Sequence, residues 1–265
     1  MLTKPHSALV CPPDPSFVDA LGQKEGASAI DFNLALAQHR LYIAALRAAG
    51  LTVSVLPPAA GLPDACFVQD VALVLPELVL LARPAMPARQ DEVAAIRPHL
   101  PDDRPVVVVE SPGTLEWGDV LRIDDTLVIG LSERTNTAGA EQVRAAVTPL
   151  GMRVETIPVP VGLHLLSGLS YLGRAPRNLE GPGMALAWEA YRDLPLLAGL
   201  DVIVVPETEA PTANALALGE TVIVPAGFPR TAAEIWHRGF RVLPVSLSEF
   251  GKADGGVTCL SLLIG

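Results

Sequence analysis

From Ile30 onward, apolar residues at helical spacing alternate with short apolar runs bounded by Gly, Pro and Asp. Over Ile30 to Ala49, Phe32, Leu36, Ile43 and Leu46 share one helix face, and Gly50 supplies the stop. A strand, Thr52 to Leu56, follows directly. Val71 to Leu75 and Leu78 to Ala82, parted only by Pro76-Glu77, then predict a tight hairpin.

The same order recurs. Pro87 to His99 can form a helix and Val106 to Val109 a strand, and Val120 to Ile123 with Thr126 to Gly130 predict a second hairpin around Asp124-Asp125. Asn136 to Leu150 is helix-like and ends at Gly151, and Arg153 to Pro158 is a strand leading to His164. There the pattern predicts a degenerate hairpin, interrupted by Arg174 to Gly183, and a fourth helix over Met184 to Ala198. Asp201 to Val205, the pair Ala215 to Leu218 and Thr221 to Val224, a helix from Thr231 to Arg238 and the strand Arg241 to Val245 complete the series.

The strands centred at Val53, Val107, Glu155, Ile203 and Val242 thus recur with a period of about fifty residues. Each unit reads strand, strand, helix, strand, and is too small to bury its own faces. Closing five units into a ring buries those faces and leaves no open sheet edge. The expectation is an α/β fold, a five-unit ββαβ propeller forming a single domain over residues 1–265. In such a ring the segments ahead of the hairpins converge on the axis, bringing together Asp64, Asp70, Glu116, Asp119, His164, Asn214 and Cys259.

Composition narrows the partners. Half the residues are hydrophobic, enough to bury a full core, yet no run approaches the ~20 apolar residues of a membrane span. The start, Met1-Leu2-Thr3-Lys4-Pro5-His6, lacks a signal peptide's apolar core, so a soluble cytoplasmic protein is expected. Cys11, Cys66 and Cys259 are too few and too scattered for a disulfide framework or a zinc knuckle. A net charge of -10 without a basic cluster argues against nucleic acid and anionic membranes and is compatible with a cationic small-molecule ligand. Monomer and homodimer both stay open.

Cys259 follows a Gly255-Gly256 step that lets backbone approach closely, and it opens the final apolar run. Alone it reads as a packing residue. With His164 at the equivalent point of another unit it becomes a candidate nucleophile beside a candidate acid–base. Neighbouring carboxylates would raise the thiol pKa, so a pocket holding Asp64, Asp70 and Glu116 is poorly suited to an empty thiolate. It is well suited to a guanidinium, whose charge would in turn favour the thiolate.

Five ordered motifs carry a resemblance: Phe67-Val68-Gln69-Asp70, Leu115-Glu116-Trp117-Gly118-Asp119-Val120-Leu121, Leu131-Ser132-Glu133-Arg134-Thr135-Asn136, Leu163-His164-Leu165-Leu166-Ser167-Gly168, and the Cys259 terminus. Together they resemble the dimethylarginine dimethylaminohydrolases of the guanidine-modifying pentein superfamily, whose fold is a five-unit α/β propeller. The resemblance implies that Cys259 attacks the guanidino carbon of a methylated arginine and forms a covalent thiouronium. It gives His164 the acid–base role, has Glu116 orient His164 or the substrate, and makes Asp64 and Asp70 guanidinium-binding carboxylates. Arg89 and Arg134 would grip the substrate α-carboxylate, with no metal and no cofactor. Gln69 stands where the family usually has glutamate, which would change how an alkylated nitrogen is held. Arginine, hydroxyarginine or citrulline as substrate, amidinotransfer, and a catalytically silent binder are the alternatives on the same scaffold. Pro12 to Gly26 reads as a loop where the family has a lid.

Overall fold

The computed structural model describes residues 5–23, 26 and 28–265, and among them the strands form five three-stranded sheets. The chain opens with β1 (Ser7–Val10), α1 (Phe32–Ala48) and β2 (Thr52–Val55). The next sheet is β3 (Ala72–Val74), β4 (Val79–Leu81) and β5 (Val106–Val108), with α2 (Gln90–Ile96) in the crossover. It is followed by β6 (Val120–Ile123), β7 (Thr126–Leu131), α3 (Thr137–Val147) and β8 (Arg153–Pro158). Then come β9 (Leu169–Arg174), β10 (Gly183–Trp188) and β11 (Asp201–Val205), and β12 (Leu216–Leu218), β13 (Thr221–Pro225), α4 (Pro229–His237) and β14 (Arg241–Val245). A short α5 (Ser248–Lys252) and β15 (Leu262–Ile264) follow.

In each of the four sheets built from consecutive segments, the first two strands pair antiparallel and the third lies parallel to the second. Leu121 faces Val128, for example, and Val128 lies beside Glu155. The parallel strand has to be reached by a crossover, and the helical segments provide it. The fifth sheet is built from both ends of the chain: Leu9 of β1 faces Leu262 of β15 and lies beside Ser54 of β2. Local signals start and stop the helices as expected. Asp31 caps α1 by accepting from the Leu34 N–H at 3.1 Å, and Gly50 ends it in the left-handed region at φ 95°.

Two readings are corrected. Met184 to Ala198 is not a helix, because residues 183–188 form β10 and only short 3-10 turns follow, at Glu189–Tyr191 and Pro195–Leu197. The third hairpin is therefore intact, with Ala185 opposite Tyr171 and beside Val202. Met-Ala-Leu-Ala has good helix propensity, but a central strand buried on both faces gains more from its two partners than propensity offers. The strand β1 gives no pattern signal, because it is four residues long and its antiparallel partner lies at the other end of the chain.

Five hydrophobic clusters fill the gaps between neighbouring sheets. Leu80, Trp117 and Ile129 pack between the β3 and β6 sheets, and Leu121, Leu169 and Ala185 between the β6 and β9 sheets. Leu186, Val222 and Ile235 fill the next gap, and Ala8, Leu46 and Ile223 the one after it. Leu9, Val79 and Leu262 close the ring. The core is thus annular, and β3, β6, β9, β12 and β15 face the axis. No helix among the described residues is long and apolar enough to cross a membrane.

Candidate active site

Each inner strand is entered from the same end of the ring through a short turn. Val68–Val71, Trp117–Asp119, Leu165–Ser167 and Glu207–Ala213 are 3-10 turns, and residues 257–260 make the fifth. The residues on these turns surround a cavity of about 20 Å³ lined by Asp64, Asp70, Arg89, Arg134, His164 and Cys259, with Leu21, Gly22 and Phe67 at its edge.

Cys259 is 9% exposed, and its Sγ accepts from the Gly256 N–H at 3.4 Å. A Cβ on Gly255 would lie 2.3 Å from Phe67 Cε1, and one on Gly256 would lie 2.4 Å from Asn214 Cγ. The Gly-Gly step is therefore what lets Phe67 and Asn214 press against the nucleophile's turn. Asn214 accepts from the Thr258 N–H at 3.0 Å and donates Nδ2–H to Thr258 Oγ1 at 2.8 Å and to Leu166 O at 3.0 Å. One buried amide thus joins the cysteine turn to the histidine turn.

His164 Nε2 lies 2.8 Å from Glu116 Oε2. The histidine's own turn is held by Asp119, whose Oδ1 accepts from the Leu165 N–H at 2.9 Å and whose Oδ2 accepts from Ser132 Oγ at 2.6 Å. Ser132 Oγ in turn accepts from the Arg134 N–H at 2.9 Å, so one carboxylate positions both the His164 and the Arg134 segments. Gly118 lies under this group, where a Cβ would come within 2.7 Å of His164 Nδ1 and 2.8 Å of Asp70 Oδ1.

Burial pulls His164 toward the neutral form, but the charge of Asp70, the Glu116 hydrogen bond and Asp119 outweigh it and push its pKa up to about 9. Burial would also raise Glu116, yet His164 and Arg89 hold its carboxyl below the usual range. Burial, with Asp70 adding to it, pushes the Cys259 thiol up to about 12. At neutral pH the site therefore holds a thiol and an imidazolium, with no standing thiolate.

Arg89 lies with the other expected site residues at the cavity. Its Nη1 donates to Asp70 Oδ2 at 3.0 Å and to Glu116 Oε2 at 3.1 Å, while Nε and Nη2 are held by Glu92 at 2.9–3.2 Å. In this geometry Arg89 pairs with three buried carboxylates, and its single charge offsets only part of theirs. Arg134 keeps a buried Nη1 with no hydrogen-bond partner, its nearest carboxylate oxygen being Glu116 Oε1 at 3.7 Å. Asp70, Glu116 and His164 offer ligand atoms within 4.8 Å of one another, a spacing that suits a cation, but Arg89 already carries positive charge to both carboxylates.

Gln69 is not among the residues that line the catalytic cavity. Successive residues of a 3-10 turn point about 120° apart, so Asp70 faces the nucleophile while Gln69 faces away. Gln69 Nε2–H donates to Trp117 O at 2.7 Å, and the residue lines a separate cavity on the ring axis. The segment expected to act as a lid, Pro12 to Gly26, is described except for residues 24 and 25, which lie outside the described residues. Its Leu21 N–H donates to Asp64 Oδ2 at 3.1 Å.

Sequence reading gave no role to Glu92, Asp119 or Asn214. Asp119 and Asn214 carried a positional signal, standing ahead of the hairpins that converge on the axis, and Glu92 is an acid one helical turn after Arg89.

A family model for eukaryotic N,N dimethylarginine dimethylhydrolases matches residues 15–159. The dimethylarginine dimethylaminohydrolase of Pseudomonas aeruginosa is 36% identical over 234 residues, spanning 88% of this chain and 89% of that protein. The corresponding protein of Streptomyces coelicolor is 35% identical over 256 residues, spanning 96% and 95%. A solved structure of the Pseudomonas protein, a cysteine-to-serine mutant complexed with citrulline, superposes with a TM-score of 0.92 at 33% identity, covering 98% of this chain and 100% of that one. Sequence motifs, ring architecture and these likenesses agree: the chain belongs to the dimethylarginine dimethylaminohydrolase family.

Proposed function

We propose that this protein hydrolyses the guanidino C–N bond of an Nω-methylated L-arginine, giving L-citrulline and methylamine or dimethylamine, through a covalent intermediate on Cys259. The observation that carries the mechanism is the cavity shared by Cys259 and the Glu116-bonded His164, with Asp64, Asp70 and Arg134 around it.

The substrate guanidinium enters against Asp70, and its α-carboxylate meets Arg134. Its positive charge opposes the effect of Asp70 on the thiol, so Cys259 releases its proton to solvent water as the ligand binds, His164 being already protonated. The thiolate attacks the guanidino carbon. The tetrahedral adduct then collapses as His164, an imidazolium at neutral pH, delivers its proton to the departing amine nitrogen. A thiouronium remains on sulfur. His164, now neutral, takes a proton from water, the hydroxyl adds to the same carbon, and the C–S bond breaks to release the ureido product and the thiolate. Glu116 holds His164 in orientation and stabilises its charged form. Asp64, buried and bonded to the Leu21 N–H, closes the entrance over the substrate.

Residues 1–265 act as one catalytic domain in this reading, in the cytoplasm, as a monomer or homodimer. The test is an assay of citrulline and amine from asymmetric dimethylarginine, monomethylarginine, arginine and hydroxyarginine, with Cys259→Ser as control. Citrulline with dimethylamine or methylamine, lost in the control, is the expected result. Turnover of arginine alone would move the substrate to the unmethylated amino acid, and full activity in the control would overturn the cysteine mechanism.

A further inference from the structure

Beneath the turns that carry the catalytic groups, the five inner strands enclose a second cavity of about 220 Å³ on the ring axis. Leu73, Leu121, Tyr171, Ala217 and Leu263, one from each inner strand, contribute to its wall. Gln69, Trp117 and Thr258 lie at its catalytic end. The separation from the active site is one residue thick: Gln69 N–H donates to Cys259 O at 3.2 Å, and Thr258 immediately precedes the nucleophile.

The two cavities differ in chemistry. Carboxylates line the catalytic one, whereas no carboxylate lines the axial one and Arg122 is its sole charged side chain. Arg122 Nε–H donates to Asp124 O at 3.2 Å, but its Nη2 is buried without a partner. Burial lowers the Arg122 pKa, with Glu77 opposing. Gln69 Oε1 and Trp117 Nε1 are also buried without partners. Among the described residues such atoms gather around these two cavities, with His39 Nε2 the exception. In the catalytic cluster they are Asp70 Oδ1 and Arg134 Nη1, which meet the substrate in the reading above, and Glu116 Oε1 beside them.

We propose that the axial cavity is a binding site for a small amphipathic carboxylate, its apolar body among the inner strands and its carboxylate on Arg122. The strand β6 runs from the catalytic end toward the Asp124-Asp125 turn, so Arg122 lies at the far mouth. The ligand enters body first and leaves its charged end nearest water, which is the inexpensive way to desolvate it. A guanidino amino acid finds no carboxylate among the lining residues, and a dianion finds only one cation.

The test titrates the folded protein with hexanoate and with its uncharged analogue hexanamide, read by calorimetry. Hexanoate binds saturably, hexanamide about tenfold more weakly, and Arg122→Gln brings hexanoate down by a similar factor, the loss of one charge-assisted pair. Ala217→Phe, which fills the cavity, removes binding. Both variants keep turnover of methylated arginine, because neither side chain touches the catalytic cavity. Absence of saturable binding in the wild type would mean that the cavity holds ordered water only. Equal affinity for hexanoate and hexanamide, or displacement of hexanoate by methylarginine at the catalytic site, would equally overturn the proposal. These arms need no variant to fold.

Discussion

At the scale of single residues, the site depends on what is missing as much as on what is present. Gly118 leaves room for the His164 ring and the Asp70 carboxylate, and a methyl group there would push both aside. Gly118→Ala is expected to lower kcat at least ~100-fold with little change in melting temperature, because misplacing an acid–base group by about an ångström costs that much. The titrations give a second prediction. The folded-state pKa of His164 lies above its ordinary 6.5, at about 9. Its contribution to stability is therefore complete below pH 6.5 and lost as pH rises through 9. Chemical unfolding followed across that window should show the wild type losing stability relative to His164→Gln, and kcat/KM should fall above pH 9 as the imidazolium is lost. With the thiol pushed up to about 12, alkylation of Cys259 by iodoacetamide in the ligand-free protein should keep accelerating well beyond pH 9. A plateau near pH 7 would contradict the neutral-thiol resting state.

At the scale of elements, the short turns feeding the inner strands are positioning devices. Asp119 is fully buried and holds the His164 turn through the Leu165 amide and the Arg134 segment through Ser132. Asp119→Ala leaves that amide unpaired, and the expected cost is about 1–3 kcal/mol in urea unfolding. The accompanying fall in kcat should exceed any rise in KM. The lid contact is a separate element-scale device. If Leu21 closes over Asp64, amide exchange at Leu21 should slow when methylarginine binds and quicken in Asp64→Ala, and unchanged protection in both cases would dissociate the segment from the site.

At the scale of the whole molecule, the ring is closed by its own ends. The first and last strands pair in one sheet, with His6 N–H donating to Ile264 O at 3.1 Å, and Leu9 and Leu262 sit in the cluster that seals the final gap. A circular permutant joining the present ends through a short linker and opening the exposed loop between β9 and β10 should retain turnover and a single unfolding transition. Leu262→Ala, by contrast, should cost roughly 2–5 kcal/mol, since the lost side chain is shared by two sheets.

The sequence by itself determined the unit and its repetition, because alternating apolar runs, turn residues and helix stops are local and recur with a fixed period. It also singled out Cys259, His164, Glu116, Asp70 and Arg134, which stand on motifs specific enough to carry a resemblance, and the structure gathers them with Asp64 at one end of the ring. Only the tertiary structure decided the rest, for three physical reasons. Strand pairing overrode the helix propensity of Met184 to Ala187, and pairing partners are not local. Closure of the ring by β1 depended on a contact between the two ends of the chain. The roles of neighbouring polar residues depended on direction: a 3-10 turn sends Asp70 toward the nucleophile and Gln69 toward the axial cavity, and burial beside Asp70, Glu92 and Glu116 turns Arg89 into their counter-charge.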